Sequence, residues 1–233
     1  MLRLVLGLFF CLCLGTLLVA LVRGPVDPKA GPSVLRIVIS TLMFQGAILV
    51  LTWRFLREHQ TTWAVGFGLN QNQFQAIKLG VFAIGLFLPL GWGLQFVSIQ
   101  VLQAVGLEPA EQLALVALRN SGTMAQLVIM GLVTILLAPV AEEILFRGVI
   151  YPAARQYGFR RAALWGSSIL FAAIHFNLAA FGSLLLLALL LVWLYEKTGN
   201  LLAPIVAHVA FNAINFVLFF VLKDFPEKLP AQP

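Results

Sequence analysis

The chain has 233 residues, of which 61% are hydrophobic and only 10% are charged. An ordinary soluble domain has about 25% charged residues, so this composition excludes a protein whose whole surface faces water. The net charge of +6 comes from few residues, and the sequence shows no interleaving of aromatic and basic side chains that would indicate a nucleic-acid partner. We therefore expect an integral membrane protein whose basic residues set its orientation in the membrane.

The N-terminal half contains three apolar segments that are long enough to cross a bilayer, which requires about 20 residues each. The first, Leu4–Val22, is longer than the apolar core of a signal peptide and is predicted to be retained as a helix. The second and third are predicted at Val34–Trp53 and Ala76–Ala104. The two cysteines, Cys11 and Cys13, lie in the first segment and indicate neither a disulfide framework nor a zinc knuckle.

The C-terminal half adds four predicted membrane helices. Before them, Leu107–Arg119 has the spaced leucines and charges of an amphipathic helix at the membrane surface. The fourth membrane helix begins near Thr123, is interrupted by Pro139 and continues through Arg147. The last three are predicted at Ala162–Ala180, Ser183–Tyr195 and Leu201–Leu222.

The predicted fold class is therefore all-α: a polytopic transmembrane bundle of about seven membrane helices and one short interfacial helix. It forms a single integral membrane domain over residues 1–233. The densest basic cluster, Arg155, Arg160 and Arg161, lies in one predicted loop. The positive-inside rule places that loop in the cytoplasm, and the expected location is the plasma membrane if the organism is prokaryotic.

Several polar side chains lie inside predicted membrane helices, where an ionisable group costs at least about 2.5–3.5 kcal/mol on insertion scales. Residues retained at such a cost are candidates for function. The set comprises Glu142, Glu143, Arg147, His175, His208 and Asn212.

The spacing of these residues indicates which of them share a helix face. Glu143 and Arg147 are four residues apart, as are His208 and Asn212, so each pair lies on one face. Glu142 lies about 100° around the helix from Glu143 and is expected to face a different neighbour.

Residue counting also predicts the depth of the candidates. Glu142 lies sixteen residues before a predicted turn at Gly158, and His175 lies seventeen after it. At about 1.5 Å per residue, both lie roughly 24–26 Å from that turn. The turn at Gly199-Asn200 is on the same side of the membrane, because two crossings separate the turns, and His208 follows it by eight residues. We therefore expect one buried site formed by three helices.

Three motifs carry a family resemblance. Residues Glu142–Arg147 read EExxxR, Phe171–His175 read FxxxH, and His208–Asn212 read HxxxN. In this order and on successive membrane helices, they resemble the CAAX protease and bacteriocin-processing (CPBP) family of intramembrane endopeptidases, also called the abortive-infection family. The family includes the type II CAAX prenyl endopeptidases. The resemblance predicts a catalytic core at about 120–222, and the first three predicted helices carry no matching motif.

The resemblance implies hydrolysis of a peptide bond in a membrane-associated protein or peptide, so the expected partners are that substrate and membrane lipid. It assigns activation of the attacking water to Glu142 and His175, stabilisation of the oxyanion to His208 and Asn212, and a supporting ion pair to Glu143 and Arg147.

The sequence does not decide whether catalysis uses a metal ion. The family has been described both as metalloproteases and as glutamate-dependent enzymes. Glu142, His175 and His208 are the side chains that could ligate a divalent metal such as zinc, with water as the fourth ligand. The HExxH motif of soluble zinc proteases is absent, so the cofactor is left undecided.

Two other functions are compatible with buried Glu and His residues. A proton-coupled transporter also needs them, but the discontinuous helices in two related halves that many transporters contain have no counterpart in this sequence. The second is a family member without proteolytic activity, acting as an immunity or scaffold protein. Taken singly, each motif also has a structural interpretation, such as a charge cluster at a helix end or a packing histidine.

Overall fold

The computed structural model describes residues 34–109 and 123–223, together with Gly7 and Val116. The predicted helix Leu4–Val22 with its two cysteines lies outside the described residues, apart from Gly7. So does most of the predicted interfacial helix Leu107–Arg119. Within the described part of the chain, all regular structure is helical and no strand occurs.

We number the described helices in chain order. They are α1 (Val34–Glu58), α2 (Trp63–Gly66), α3 (Gln73–Ala104), α4 (Met124–Arg155), α5 (Arg160–Ala173), α6 (Leu178–Thr198) and α7 (Leu202–Lys223).

Five of these helices are long and apolar enough to cross a bilayer, namely α1, α3, α4, α6 and α7. The protein is therefore a multi-pass integral membrane protein, as the composition predicts. The predicted number of seven is not confirmed, because one segment lies outside the described residues and α5 is short. With 14 residues, α5 is roughly 21 Å long, whereas the hydrocarbon core is roughly 30 Å thick.

The predicted helix Ala162–Ala180 was wrong in its extent, because the chain leaves helical geometry after Ala173. Phe176 has a left-handed backbone with φ 49°, which no residue inside a helix adopts. Asn177 then caps α6, since its side-chain oxygen accepts a hydrogen bond from the backbone N–H of Ala180 at 2.9 Å. As a result α6 begins at Leu178, five residues earlier than predicted.

Three connections meet at one end of the molecule, which we call the turn end. In the α4–α5 region, Arg155 and Arg160 both bind the carboxylate of Glu196 near the end of α6, at 3.3 and 2.6 Å. The backbone N–H of Leu201 donates to the carbonyl of Phe67 at 3.0 Å, which joins the α6–α7 turn to the connection between α1 and α3. The prediction that the α4–α5 and α6–α7 turns lie on the same side is confirmed.

Helix α6 is the centre of the bundle. It packs against α3, α5 and α7, and its inward residues Leu187, Ala188, Leu191 and Leu194 are fully buried. Helix α4 packs against α1 on one side and α7 on the other. The functional candidates on α4 and α7 therefore lie between well-packed helices.

Two glycines permit close approaches that fix this arrangement. A Cβ atom on Gly80 of α3 would lie 2.5 Å from the carbonyl oxygen of Ala203 and 3.5 Å from the backbone nitrogen of Ala207 on α7. A Cβ atom on Gly68 would lie 2.0 Å from the carbonyl oxygen of Gly199. Small residues of this kind let membrane helices pack backbone to backbone, so α3 holds α7 at a defined height.

Candidate active site

The helix that carries the glutamates, α4, is not a regular α-helix. Two π-helical segments, Val133–Leu137 and Ile144–Ile150, flank the α-helical segment Ala138–Glu143. A proline follows shortly after each π segment, Pro139 after the first and Pro152 after the second. Proline has no backbone N–H to donate to the preceding turn, which favours this local rearrangement. Such π-bulges occur often at functional sites.

The first π segment is where Asn212 of α7 contacts α4. The Asn212 side-chain amide donates to the backbone carbonyl of Thr134 at 2.8 Å, and the Thr134 hydroxyl donates to the carbonyl of Met130 at 2.7 Å. The amide thus ties α7 to α4 through one of its two N–H groups. The amide has a second N–H group that this bond does not use.

Glu143 and Arg147 form a buried ion pair, as their spacing predicts. Arg147 Nη1 lies 2.8 Å from Glu143 Oε1, and both side chains are essentially inaccessible to solvent. Arg147 also donates through Nη2 to the carbonyl of Ala188 on α6 at 3.0 Å, and its guanidinium carbon lies 4.7 Å from the ring centroid of Phe171. The pair therefore links α4 to α5 and α6.

His208 of α7 binds the same carboxylate. Its Nδ1 lies 2.8 Å from Glu143 Oε1, and because a carboxylate only accepts, Nδ1 is the donor. Its Nε2 lies 3.9 Å from Glu142 Oε2. Glu143 therefore orients His208, and His208 presents its other nitrogen to Glu142.

Glu142 shares His208 with Glu143 but also faces a different helix, α1, as its position about 100° around α4 predicts. Its side chain retains 14% exposure, whereas that of Glu143 retains none. On α1, Gln45 donates through Nε2 to Glu142 Oε1 at 3.3 Å. Gln45 is itself buried, and its Oε1 atom has no hydrogen-bond partner.

Sequence reasoning missed Gln45 because no known motif includes it. A usable signal was present, since Gln45 is the only amide side chain in the 25 residues of α1. A long polar side chain within such an apolar run calls for a partner.

His175 lies just beyond the end of α5. Its Nδ1 donates to the carbonyl of Phe171 at 2.7 Å, which leaves Nε2 as a free acceptor. The Phe171 ring lies 4.9 Å from the His175 ring and 5.7 Å from the His208 ring, between centroids. Both imidazoles therefore contact the same phenyl group.

The candidates thus separate into a bonded cluster and two neighbours. Hydrogen bonds or short contacts join Glu142, Glu143, Arg147 and His208 directly. His175 adjoins the cluster through Phe171, and Asn212 binds the backbone of α4.

The residues do not fit a closed metal site in this conformation. Among the described residues, no three His, Cys, Asp or Glu side chains converge so that they could hold a metal ion. This includes the predicted trio Glu142, His175 and His208. We therefore derive no step through a metal.

Residues 124–214 match the model of the family described as type II CAAX prenyl endopeptidase Rce1-like. The match begins at the first residue of α4 and ends within α7, so it contains all six candidate residues and excludes α1 and α3.

A curated relative is the uncharacterized protein YpbD of Bacillus subtilis (strain 168), which is 37% identical over 83 residues. The aligned region covers 34% of this chain and 40% of that protein. No solved structure matches the chain significantly. Residues 124–214 are thus similar to the type II CAAX prenyl endopeptidase Rce1-like family, and the chain spans well under two thirds of the length of this curated relative.

Proposed function

We propose that this protein is an intramembrane endopeptidase that hydrolyses a peptide bond of a membrane-associated protein or peptide. The observation that carries the proposal is the contact of 3.9 Å between Glu142 Oε2 and His208 Nε2. It joins a carboxylate to an imidazole within membrane helices of the family-matched region. A proteolytic core at about 120–222 would contain the whole cluster.

The geometry defines which ring nitrogen of His208 is left for a substrate. His208 donates through Nδ1 to Glu143, so its Nε2 lies on the side of Glu142. To donate a hydrogen bond to a substrate from Nε2 as well, His208 must carry a proton on both ring nitrogens.

The proposed reaction uses Glu142 as the general base. Glu142 takes a proton from water while the water oxygen attacks the carbonyl carbon of the peptide bond, and the carbonyl π electrons move to oxygen. Glu142 then gives the proton to the leaving nitrogen as the C–N bond breaks and the carbonyl re-forms. General acid–base catalysis of this kind contributes about 10²–10⁴-fold in rate.

The other candidates support this reaction in specific roles. The free Nε2 of His175 accepts the second hydrogen of the attacking water. The Nε2–H of His208 and the unused amide N–H of Asn212 donate to the developing oxyanion. Removing one such donor from a preorganised site costs about 10²–10³-fold in kcat.

The substrate is proposed only as a class. The matched family is named for CAAX prenyl endopeptidases, so a peptide held at the membrane by a lipid group is a natural candidate. A membrane peptide released by another protease belongs to the same class.

The test compares membrane peptides from cells that express the wild-type protein and the Glu142→Gln variant. We expect peptides that accumulate uncut with Glu142→Gln, because the amide cannot accept the proton from water. Glu58→Gln is the matched control, since it makes the same chemical change at an exposed position bonded to Arg54. Identical peptide profiles for wild type and a correctly folded Glu142→Gln protein would instead indicate the non-proteolytic or transport role.

A further inference from the structure

Gln45 is a buried amide with one satisfied and one unsatisfied end. Its side chain comes from α1, outside the family-matched residues 124–214, and the residue is only 4% exposed. The Nε2 end donates to Glu142 at 3.3 Å, whereas Oε1 is buried and has no hydrogen-bond partner among the residues that the structure describes.

The orientation of this amide follows from its neighbour. The Glu142 carboxylate can only accept hydrogen bonds when it is ionised, so the NH₂ group of Gln45 must face it. Because both ends of the amide are bonded to the same carbon atom, Gln45 Oε1 then also lies close to the Glu142 carboxylate, the candidate base. A buried acceptor left without a donor is costly, and native proteins retain very few. Such an atom indicates a missing donor.

A peptide substrate supplies donors of the right kind. Inside a bilayer, every backbone N–H must have a partner, because lipid offers none. A peptide that enters the site in an extended conformation loses its helical hydrogen bonds, so its N–H groups need acceptors from the protein. The Glu142 and Glu143 carboxylates each already accept through Oε1, from Gln45 and from Arg147 and His208 respectively. Glu143 Oε2 also lacks a partner among the described residues, but the Glu143 side chain is fully buried, whereas Gln45 adjoins Glu142, whose side chain keeps 14% exposure.

We propose that Gln45 binds the peptide substrate directly: its Oε1 accepts a hydrogen bond from a backbone N–H beside the scissile bond, while its Nε2–H orients Glu142. The inference rests on the proposed function, since it requires a peptide at the site. It assigns a substrate-binding role to a helix that the family match does not include.

The test is a thermodynamic cycle that combines one substitution in the protein with one substitution in the substrate backbone. The probe is a synthetic copy of the peptide whose cleavage depends on Glu142, together with ester analogues. In each analogue, oxygen replaces one backbone N–H near the scissile bond but not the scissile amide itself. kcat/KM is measured for each probe with the wild-type protein and with Gln45→Met, which has a similar shape but cannot accept this bond.

With the wild-type protein, one ester position should lower kcat/KM about 3- to 10-fold, the usual effect of one hydrogen bond. With Gln45→Met, that ester and the normal peptide should react within about twofold of each other, because the acceptor is already gone. Thr52→Val is the matched control, since Thr52 is a buried polar residue of the same helix two turns from Gln45. It should leave the ester penalty unchanged.

The outcomes separate this inference from the proposed function. An ester penalty that is the same in wild type and Gln45→Met, at every position, would overturn the role of Gln45 even if Glu142→Gln abolishes cleavage. A purely structural Gln45 would show as a lowered Tm in Gln45→Met with that unchanged penalty. Cleavage that persists in Glu142→Gln would instead remove the proposed function itself.

Discussion

At the scale of single residues, the same local motif occurs twice with different surroundings. Phe55 and His59 at the end of α1 repeat the FxxxH spacing of Phe171 and His175 at the end of α5. In both, the histidine Nδ1 bonds the carbonyl four residues earlier, at 2.8 and 2.7 Å, and the two rings are in contact. The bond caps a helix C-terminus. FxxxH alone therefore predicts a helix end, and its position beside Glu142 and His208 is what suggests catalysis.

The repeated motif provides an internal control for His175. We expect His175→Gln to lower kcat about 10²-fold, because the lone pair that would hold the attacking water is lost. His59→Gln should leave kcat unchanged, although it removes the same helix-end bond. The measurement is kcat for both purified variants with a Glu142-dependent peptide. Equal activity of the two variants would reduce His175 to a capping residue.

How far the site could be predicted depended on the sequence distance between partners. The Glu143–Arg147 pair was predictable because four residues on a helix share a face, and the ion pair confirms it. The contact of Gln45 with Glu142 spans 97 residues, and no local periodicity encodes it. The bond from Asn212 to Thr134 was equally hidden, because it depends on a π segment that hydropathy does not reveal.

At the scale of helices, hydropathy correctly predicted those helices that are long and separated by polar connections. The predicted segments Val34–Trp53, Ala76–Ala104 and Leu201–Leu222 correspond closely to α1, α3 and α7. It failed at α5 and α6, because the chain stays apolar through the break and only Asn177 marks the new helix start. Capping chemistry, which a hydropathy average ignores, decided that boundary.

The close approach of α3 to α7 predicts how helix spacing affects the site. A side chain on Gly80 would meet the backbone of Ala203 at 2.5 Å, five residues before His208 on the same helix. We expect Gly80→Val to destabilise the fold by about 1–3 kcal/mol, the usual cost of overpacking. It should also lower kcat, because the new side chain would push α7 away from α3 and displace His208 relative to Glu142.

The control for this change lies on the same helix. A Cβ atom on Gly85 would meet nothing within 4 Å, so Gly85→Val should leave both Tm and kcat close to wild type. Thermal unfolding in detergent and kcat with a Glu142-dependent peptide give the two readouts. A Gly80→Val protein with wild-type values in both would show that the α3–α7 spacing does not set the site geometry.

At the scale of the whole molecule, the turn end collects most of the described basic side chains. Arg155 and Arg160 meet there at Glu196, and Lys197 is next in sequence. The positive-inside rule therefore places the turn end in the cytoplasm. The fold itself fixes only that these turns share one side, so the orientation is a prediction.

Cysteine labelling in intact cells tests this orientation, after Cys11 and Cys13 are replaced by serine. Tyr157→Cys and Lys197→Cys, both exposed at the turn end, should resist a membrane-impermeant reagent until the cells are opened. Phe176→Cys, at the other end and 91% exposed, should react at once. Labelling of both turn-end positions in intact cells would invert the topology.

Helix α5 ends early, and this affects how water, the second reactant of the proposed hydrolysis, reaches the site. The helix stops ~9 Å short of the thickness of the hydrocarbon core, and the backbone N–H groups of residues 174–176 turn back onto the last carbonyls of α5. We expect lipid headgroups and the solvent between them to reach further into the bilayer at this sector of the protein, because a bilayer accommodates a short helix by local thinning. His175 is in this stretch. In the proposed reaction, the short helix would bring bulk water near to the Glu142–His208 pair, while the longer helices around it would keep a peptide substrate in contact with lipid.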